Sequence, residues 1–194
     1  MKIILASKSG VRKEILDKNN ITCVVEHSNV DEDQAKEALL EAGADPLMIS
    51  KNLAEIKSIK VSNKNPDQVV LGADSVVSLN NKIINKPKSR EDALEILKKL
   101  NGSKHYLISS VCISKNGSMI WNYTDKAALT MKNLNEKQLE EYLSKITDEA
   151  LYAYNVYQIE GEGRSLFSKI EGDENTIMGL PVKKIKEYIK NLKC

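Results

Sequence analysis

The sequence predicts an α/β fold, a mixed sheet flanked by helices. Three observations predict it. Short apolar runs of strand length alternate with longer segments of helical period. Hairpin signals interrupt that alternation, adding antiparallel pairs to a framework of crossovers. Helix starts carry polar caps, and the stops fall at glycine or asparagine.

The elements follow in order. Lys2–Ala6 is an apolar run and the first strand. Ser9 caps a helix with Val11, Ile15 and Leu16 on its apolar side. Ile21–Val25 reads as a second strand, and Asp31–Leu40 and Pro46–Ile59 read as helices separated by Gly43. Val69-Val70-Leu71 is a buried strand, after which Gly72 allows a turn or a close approach to a ligand. Two or three strands are expected through this central segment, which closes at Lys86-Pro87. Ser89–Leu100 is a helix with a capping-box start at Ser89 and Asp92 and an apolar face of Ala93, Ile96, Leu97 and Leu100. Tyr106–Ser114 and Ser118–Met131 form a hairpin around Asn116-Gly117. A helix runs from Asn135 through Leu143, Asn175–Gly179 is turn-rich, and Pro181 opens a last helix to Leu192.

Composition narrows the function. The chain has 194 residues, 41% hydrophobic and 29% charged, with a formal net charge of +2. That charge is too small to attract nucleic acid in bulk, so phosphate chemistry must come from local clusters. Aromatic residues are 5% of the chain, which weakens a base-stacking platform for single strands. Cys23, Cys112 and Cys194 are far apart and form no CxxC pair, which argues against structural zinc and for a reduced cytosolic setting. The apolar run of MKIILASKSG is too short for a signal peptide, and no segment is long enough to span a bilayer.

Four clusters carry candidate chemistry. Ser7-Lys8-Ser9-Gly10-Val11-Arg12 lies where a strand meets a helix, a place where backbone N–H groups and the helix dipole attract anions. It is either a phosphate site, with Arg12 as a bidentate fork, or a capped surface helix; the P-loop spacing is absent. Asp31-Glu32-Asp33 suits a helix start, or makes Glu32 a magnesium ligand or ligand-positioning acid. Asp74, beside apolar Val76-Val77, needs a partner or a metal if buried; with Lys86 it suggests handling of a metal and phosphate oxygens, or else both are surface residues of a hairpin. Lys57 reads as part of a solvated helix face, and Glu160, before Gly161-Glu162-Gly163, as the rim of a strand. The glycine pattern there ends in Leu166 and supports no Rossmann site. His27 and His105 are lone histidines that make no Ser-His-Asp arrangement.

Taken together, these blocks resemble the Maf family of nucleotide pyrophosphatases, over nearly the whole chain. The family's LAS-x-SPRR opening is matched by Leu5-Ala6-Ser7-Lys8-Ser9-Gly10-Val11-Arg12. Its acid and LAxxKA block is similar to Val30-Asp31-Glu32 and Leu53-Ala54-Glu55-Ile56-Lys57-Ser58. Its GADTVV and KP elements are matched by Gly72-Ala73-Asp74-Ser75-Val76-Val77 and Lys86-Pro87. The late YxIxG and GLP elements are matched by Tyr157-Gln158-Ile159-Glu160-Gly161 and Gly179-Leu180-Pro181. The resemblance implies one Maf-like domain over residues 1–194, related to the inosine triphosphatase fold, with two closely packed lobes and a central cleft. It implies hydrolysis of a nucleoside triphosphate to its monophosphate and pyrophosphate by a cytoplasmic homodimer that binds neither nucleic acid nor membrane. Asp74 and Glu32 would be catalytic and hold Mg²⁺ or Mn²⁺. Ser7, Arg12, Lys57, Lys86 and Glu160 would bind substrate. The chain departs from the family at Gly10 and Val11, which replace a proline and an arginine, and at Tyr154-Asn155-Val156-Tyr157. Glu160 replaces a frequent glutamine and is similar to the subgroup associated with 7-methyl-GTP rather than dTTP or UTP. A nucleotide-binding regulator of cell division without turnover is the alternative.

Overall fold

The computed structural model describes residues 3–154 and 156–192. Lys2, Asn155 and Cys194, used above, lie outside them. The chain order is β1 (Ile3–Ala6), α1 (Gly10–Lys18), β2 (Cys23–Val25), α2 (Glu32–Glu41), α3 (Pro46–Ser62), β3 (Val69–Leu79), β4 (Lys82–Ile84), α4 (Arg90–Leu100), β5 (Lys104–Lys115), β6 (Ser118–Met131), α5 (Glu136–Ser144), α6 (Asp148–Tyr154), a 3-10 turn (Glu162–Leu166), β7 (Phe167–Glu171), α7 (Glu174–Ile177) and α8 (Val182–Leu192). The strands form a mixed sheet in the order β2-β1-β3-β5-β6-β7, with β4 on β3. β1 pairs in parallel with β2 and β3, whereas β3–β4 and β6–β7 are antiparallel. The mixed α/β architecture is the expected one.

The chain divides into two compact units. The first holds the chain up to Ser75, Ile108–Lys126 and the chain from Asp173; the second holds Val76–Leu107 and Ala127–Gly172.

In the first unit, strand periodicity sets what each helix meets. Successive side chains of a strand point to opposite faces. Ile3 and Leu5 of β1 and Val69, Leu71 and Ala73 of β3 join Ile15 and Leu16 of α1 and Val182, Ile185 and Ile189 of α8 in one core. The alternate residues Ile4, Ala6 and Val70 pack instead with Val61 of α3. Gly72 and Asp74 continue that second register, so both face α3. The helix answers with Ser50, Ala54, Ser58 and Ser62, all fully buried at one-turn spacing. This strip of small residues lets α3 lie close to the sheet.

One expectation needs correction. The chain does not turn at Gly72: β3 runs unbroken from Val69 to Leu79, and the turn falls at Asn80 and Asn81, with φ of 51° and 60°. Two consecutive positive φ values are what a tight hairpin needs, and asparagine tolerates them. The expected turn at Asn116-Gly117 is present, with φ of 51° and 73°. Helices α6 and α7 and strand β7 were absent from the sequence reading.

In the second unit, Ser89 caps α4 by accepting from the Asp92 N–H. Arg90 donates to the carbonyls of Leu143 (2.9 Å) and Ile146 (2.8 Å), closing the end of α5. Tyr142 Oη donates to the Val156 carbonyl at 3.0 Å. His105 is fully buried among Tyr157 and Phe167, with its Nε2 2.9 Å from Tyr157 Oη.

Burial holds the His105 imidazole well below its ordinary 6.5, at about 4. The folded chain therefore refuses a proton that the unfolded chain accepts between those values. The stabilisation is complete above pH 6.5 and lost as pH falls toward 4. Between pH 7 and pH 4.5 this group is expected to remove about 2–3 kcal/mol of stability. Urea unfolding at both pH values tests it: the acid loss should shrink by that amount in His105→Gln, and an equal loss in both proteins contradicts it.

Candidate active site

Gly72 brings α3 to the strand. A Cβ built there would fall 2.2 Å from the Ala54 carbonyl oxygen and 2.8 Å from Ser58 Cβ. Only glycine fits so close a backbone approach. One helical turn beyond Ala54, at the i+3 position, stands Lys57. Its stem is buried and its Nζ lies 2.8 Å from Asp74 Oδ1 and 2.8 Å from Glu32 Oε2. The solvated helix face expected from the sequence is thus a buried ammonium bridging two carboxylates.

The acids differ in setting. Glu32 opens α2, where Asp31 caps the helix by accepting from the Gln34 N–H; its side chain is about half exposed, at 47%. Asp74 is in mid-strand, 6% exposed, rather than at a strand end. Ser50 Oγ donates to the Asp74 main-chain carbonyl at 3.2 Å. The Asp74 Oδ2 oxygen is buried and has no hydrogen-bond partner. An orphaned carboxylate oxygen is costly in the interior and marks a position for a ligand.

The opposite face of β3 holds Arg12. Its Nε donates to the Gly179 carbonyl (3.0 Å), Nη1 to Ser7 Oγ (3.1 Å) and the Ala73 carbonyl (3.0 Å), and Nη2 to Ser75 Oγ (3.1 Å). Four of the five guanidinium N–H groups are thereby engaged within the protein. Burial lowers the Arg12 pKa from its ordinary value, and the charges of Asp74 and Glu32 oppose that shift. A hydroxyl chain continues from it: Ser75 Oγ lies 2.8 Å from Ser109 Oγ, Ser109 Oγ donates to the Thr176 carbonyl (2.7 Å), and Thr176 Oγ1 donates to Asp125 Oδ2 (2.6 Å). Gly179, at φ +99°, gives its carbonyl to the fork; a Cβ there would sit 3.1 Å from Ser75 Oγ. Sequence reasoning missed Ser75, Ser109 and Thr176. The one signal available was that Ser75 follows Asp74, and hence must face away from it.

The first cluster is tied into the framework by these bonds. Ser9 Oγ accepts from the Arg12 N–H, and Ser7 Oγ from the Ser9 N–H at 3.2 Å. Val11 packs on the core, and a Cβ at Gly10 would meet open space. Arg12→Lys keeps the charge but loses the fork. Ligand-free protein should lose about 2 kcal/mol, on the order of 5 °C in Tm for a chain of this size. An unchanged melting temperature would reduce Arg12 to a ligand contact alone.

The structure thus gathers Ser7, Arg12, Lys57, Asp74 and Glu32 in the first unit. Lys86 and Glu160 belong to the second, where both are exposed. Lys86 precedes the buried Pro87 and, with Lys88, Lys99, Ile83, Ile84 and Ile96, lines a cavity of about 490 Å³. Glu160 is not at the rim of a strand: it lies in a turn leading into the 3-10 turn, where Gly163 is required because a Cβ would fall 2.6 Å from the Gln158 backbone.

Hard carboxylate oxygens with one position open are donors of the kind Mg²⁺ or Mn²⁺ takes. Among the described residues no group of three His, Cys, Asp or Glu side chains lies together. Two carboxylates with the remaining positions left to water and phosphate is the usual magnesium arrangement, so Asp74 and Glu32 fit such an ion.

The model of the family described as Maf-like protein matches residues 2–192. The chain belongs to the Maf-like family. It is 70% identical over 191 residues to a nucleoside triphosphate pyrophosphatase of Pelagibacter ubique (strain HTCC1062), covering 98% of both chains. It is 37% identical over 194 residues to a 7-methyl-GTP pyrophosphatase of Brucella abortus biovar 1 (strain 9-941), covering 100% of this chain and 98% of the relative. A solved HAM1 protein from Coxiella burnetii aligns over 68% of this chain and 73% of its own at TM-score 0.46 and 12% identity, a likeness too distant to bear on the site.

Proposed function

We propose that this Maf-like chain is a nucleoside triphosphate pyrophosphatase, hydrolysing its substrate to a nucleoside monophosphate and pyrophosphate. The observation that carries the proposal is the buried Asp74 with one carboxylate oxygen unpartnered and the other tied through Lys57 to Glu32. The names of the relatives at 70% and 37% identity support it.

Phosphoryl chemistry needs alignment and charge neutralisation more than a covalent partner. Asp74 is proposed to orient the attacking water and take its proton on Oδ2. The water oxygen bonds to the α-phosphorus as the bond to the bridging oxygen of pyrophosphate breaks. Lys57 carries positive charge to the phosphate oxygens. Ser7 offers its hydroxyl hydrogen, since its oxygen already accepts twice. Mg²⁺ or Mn²⁺ held by Asp74 and Glu32 would supply charge neutralisation to the phosphate oxygens. For Lys86 in phosphate binding and Glu160 in base selection, the support is the motif resemblance.

The whole chain is proposed to act as one functional domain, a cytoplasmic homodimer working on free nucleotides; the net charge of +2 favours that over nucleic acid. Among the described residues no helix is long and apolar enough to cross a membrane. Pyrophosphate release measured over a panel of 7-methyl-GTP, GTP, dTTP, UTP and ATP tests the proposal. Turnover on at least one supports it, and tight binding without release to any points to the non-catalytic regulator.

Within that panel we propose that Glu160 favours 7-methyl-GTP. An ionised carboxylate only accepts hydrogen bonds and attracts the cationic methylated ring, whereas glutamine both donates and accepts. Glu160→Gln should shift kcat/KM from 7-methyl-GTP toward dTTP and UTP by about tenfold or more. Parallel losses on all three would make Glu160 a brace of its turn.

A further inference from the structure

We propose that the Lys57 ammonium is a built-in counter-cation: in the nucleotide-free protein it occupies the place between Asp74 and Glu32 and keeps divalent metal out until a triphosphate draws it away. The proposal deepens the pyrophosphatase reading and rests on it for the identity of the triphosphate.

The geometry carries the inference. Lys57 Nζ is equidistant, at 2.8 Å, from one oxygen of each carboxylate. A bridging cation between two hard oxygen ligands is the arrangement a divalent ion would adopt, and an ammonium there competes with it directly. The lysine is no passing surface contact: its side chain is 5% exposed. It stands on a helix held against the strand by Gly72 and by the buried small residues of α3. The Asp74 Oδ2 oxygen, by contrast, is buried without a hydrogen-bond partner.

Charge counting gives the order of events. Two carboxylates and one ammonium leave one negative charge, and the Arg12 guanidinium on the other face of the strand offsets it. Little attraction for a free divalent ion remains. A triphosphate brings several negative charges, offers the ammonium new oxygen partners and exposes both carboxylates at once. Nucleotide and metal must then strengthen each other's binding by the same factor.

The test is metal binding without turnover. Mn²⁺ is titrated by electron paramagnetic resonance into the full nucleotide-free chain, as wild type, Lys57→Met and Lys57→Arg. Lys57→Met should bind one Mn²⁺ at least about tenfold more tightly than wild type. Lys57→Arg should resemble wild type. A folded Lys57→Met that binds no tighter than wild type overturns the proposal. Should Lys57→Met fail to fold, the wild type still decides. The Lys57 ammonium ¹⁵N resonance should persist in millimolar Mg²⁺ and move only when a non-hydrolysable triphosphate is added as well. Movement with Mg²⁺ alone, or none with both, overturns it. Pyrophosphate release is read separately: turnover with a failed metal test removes the counter-cation and leaves the enzyme, and a passed Mn²⁺ test without turnover does the reverse.

Discussion

Asp74→Asn is expected to lower pyrophosphate release by about 10²–10⁴-fold, the usual range for a group that moves or orients a proton. The substitution keeps the volume of the side chain. It replaces the unpartnered Oδ2, or its neighbour, with an amide that cannot serve as a base. The fold should survive because Lys57 retains Glu32 as a charged partner at 2.8 Å. Removal of the whole side chain would be a poorer test, since it would leave a cavity beside a buried ammonium. Initial rates, with near-ultraviolet circular dichroism as the check on folding, make the measurement. Turnover within threefold of wild type in a folded Asp74→Asn protein would remove Asp74 from its assigned role.

Gly72→Ala is expected to harm stability and rate together, although residue 72 touches no substrate in this account. Its new methyl would lie 2.2 Å from the Ala54 carbonyl oxygen and 2.8 Å from the Ser58 main-chain nitrogen. Backbone on a buried helix cannot yield as a flexible side chain does, so α3 must move outward. Overpacking of this kind costs about 1–3 kcal/mol, on the order of 3–10 °C in Tm here. Displacement of α3 carries Lys57 away from Asp74, and a misplacement of about 1 Å in a catalytic group costs on the order of 10²-fold in rate. Thermal melts and initial rates should fall in the same variant. A Gly72→Ala protein that loses stability and keeps its rate would show that the Lys57 bridge is not fixed by the strand–helix approach.

The sequence made some features legible because they are local. Ser9 and Ser89 cap helices within three residues of themselves, and each accepts the expected backbone bond. Asn116-Gly117 is a two-residue turn flanked by strand patterns, and it forms one. Other features depended on partners far along the chain. Arg12 meets Ala73 and Gly179 at separations of 61 and 167 residues, which no helix or strand period encodes. The framework that holds its guanidinium is therefore not legible in the sequence. Lys57 looks solvated because Glu55 and Lys60 flank it; its burial follows from Ala54, one turn before it, and Ser58 beside it, which let α3 lie close to the strand. Gly72 reads as a turn or a close approach to a ligand because glycine permits either, whereas it is the neighbouring helix that needs the absent side chain. Strand β7 is short, and its exposed Ser168 and Lys169 blurred the alternation that would have revealed it. Asp74 and Glu32 stand out in the sequence as candidate metal or ligand acids, and the family resemblance adds their catalytic role; their meeting at one ammonium emerges only from the fold.

Cleavage is proposed between the α- and β-phosphorus, with water attacking the former. Hydrolysis of the best nucleotide of the panel in H₂¹⁸O, followed by ³¹P nuclear magnetic resonance, measures it directly. The expected products are a nucleoside monophosphate carrying one ¹⁸O and an unlabelled pyrophosphate, with the signal lost in Asp74→Asn. Label in the pyrophosphate, release of inorganic phosphate with a nucleoside diphosphate, or undiminished labelling in Asp74→Asn would contradict it.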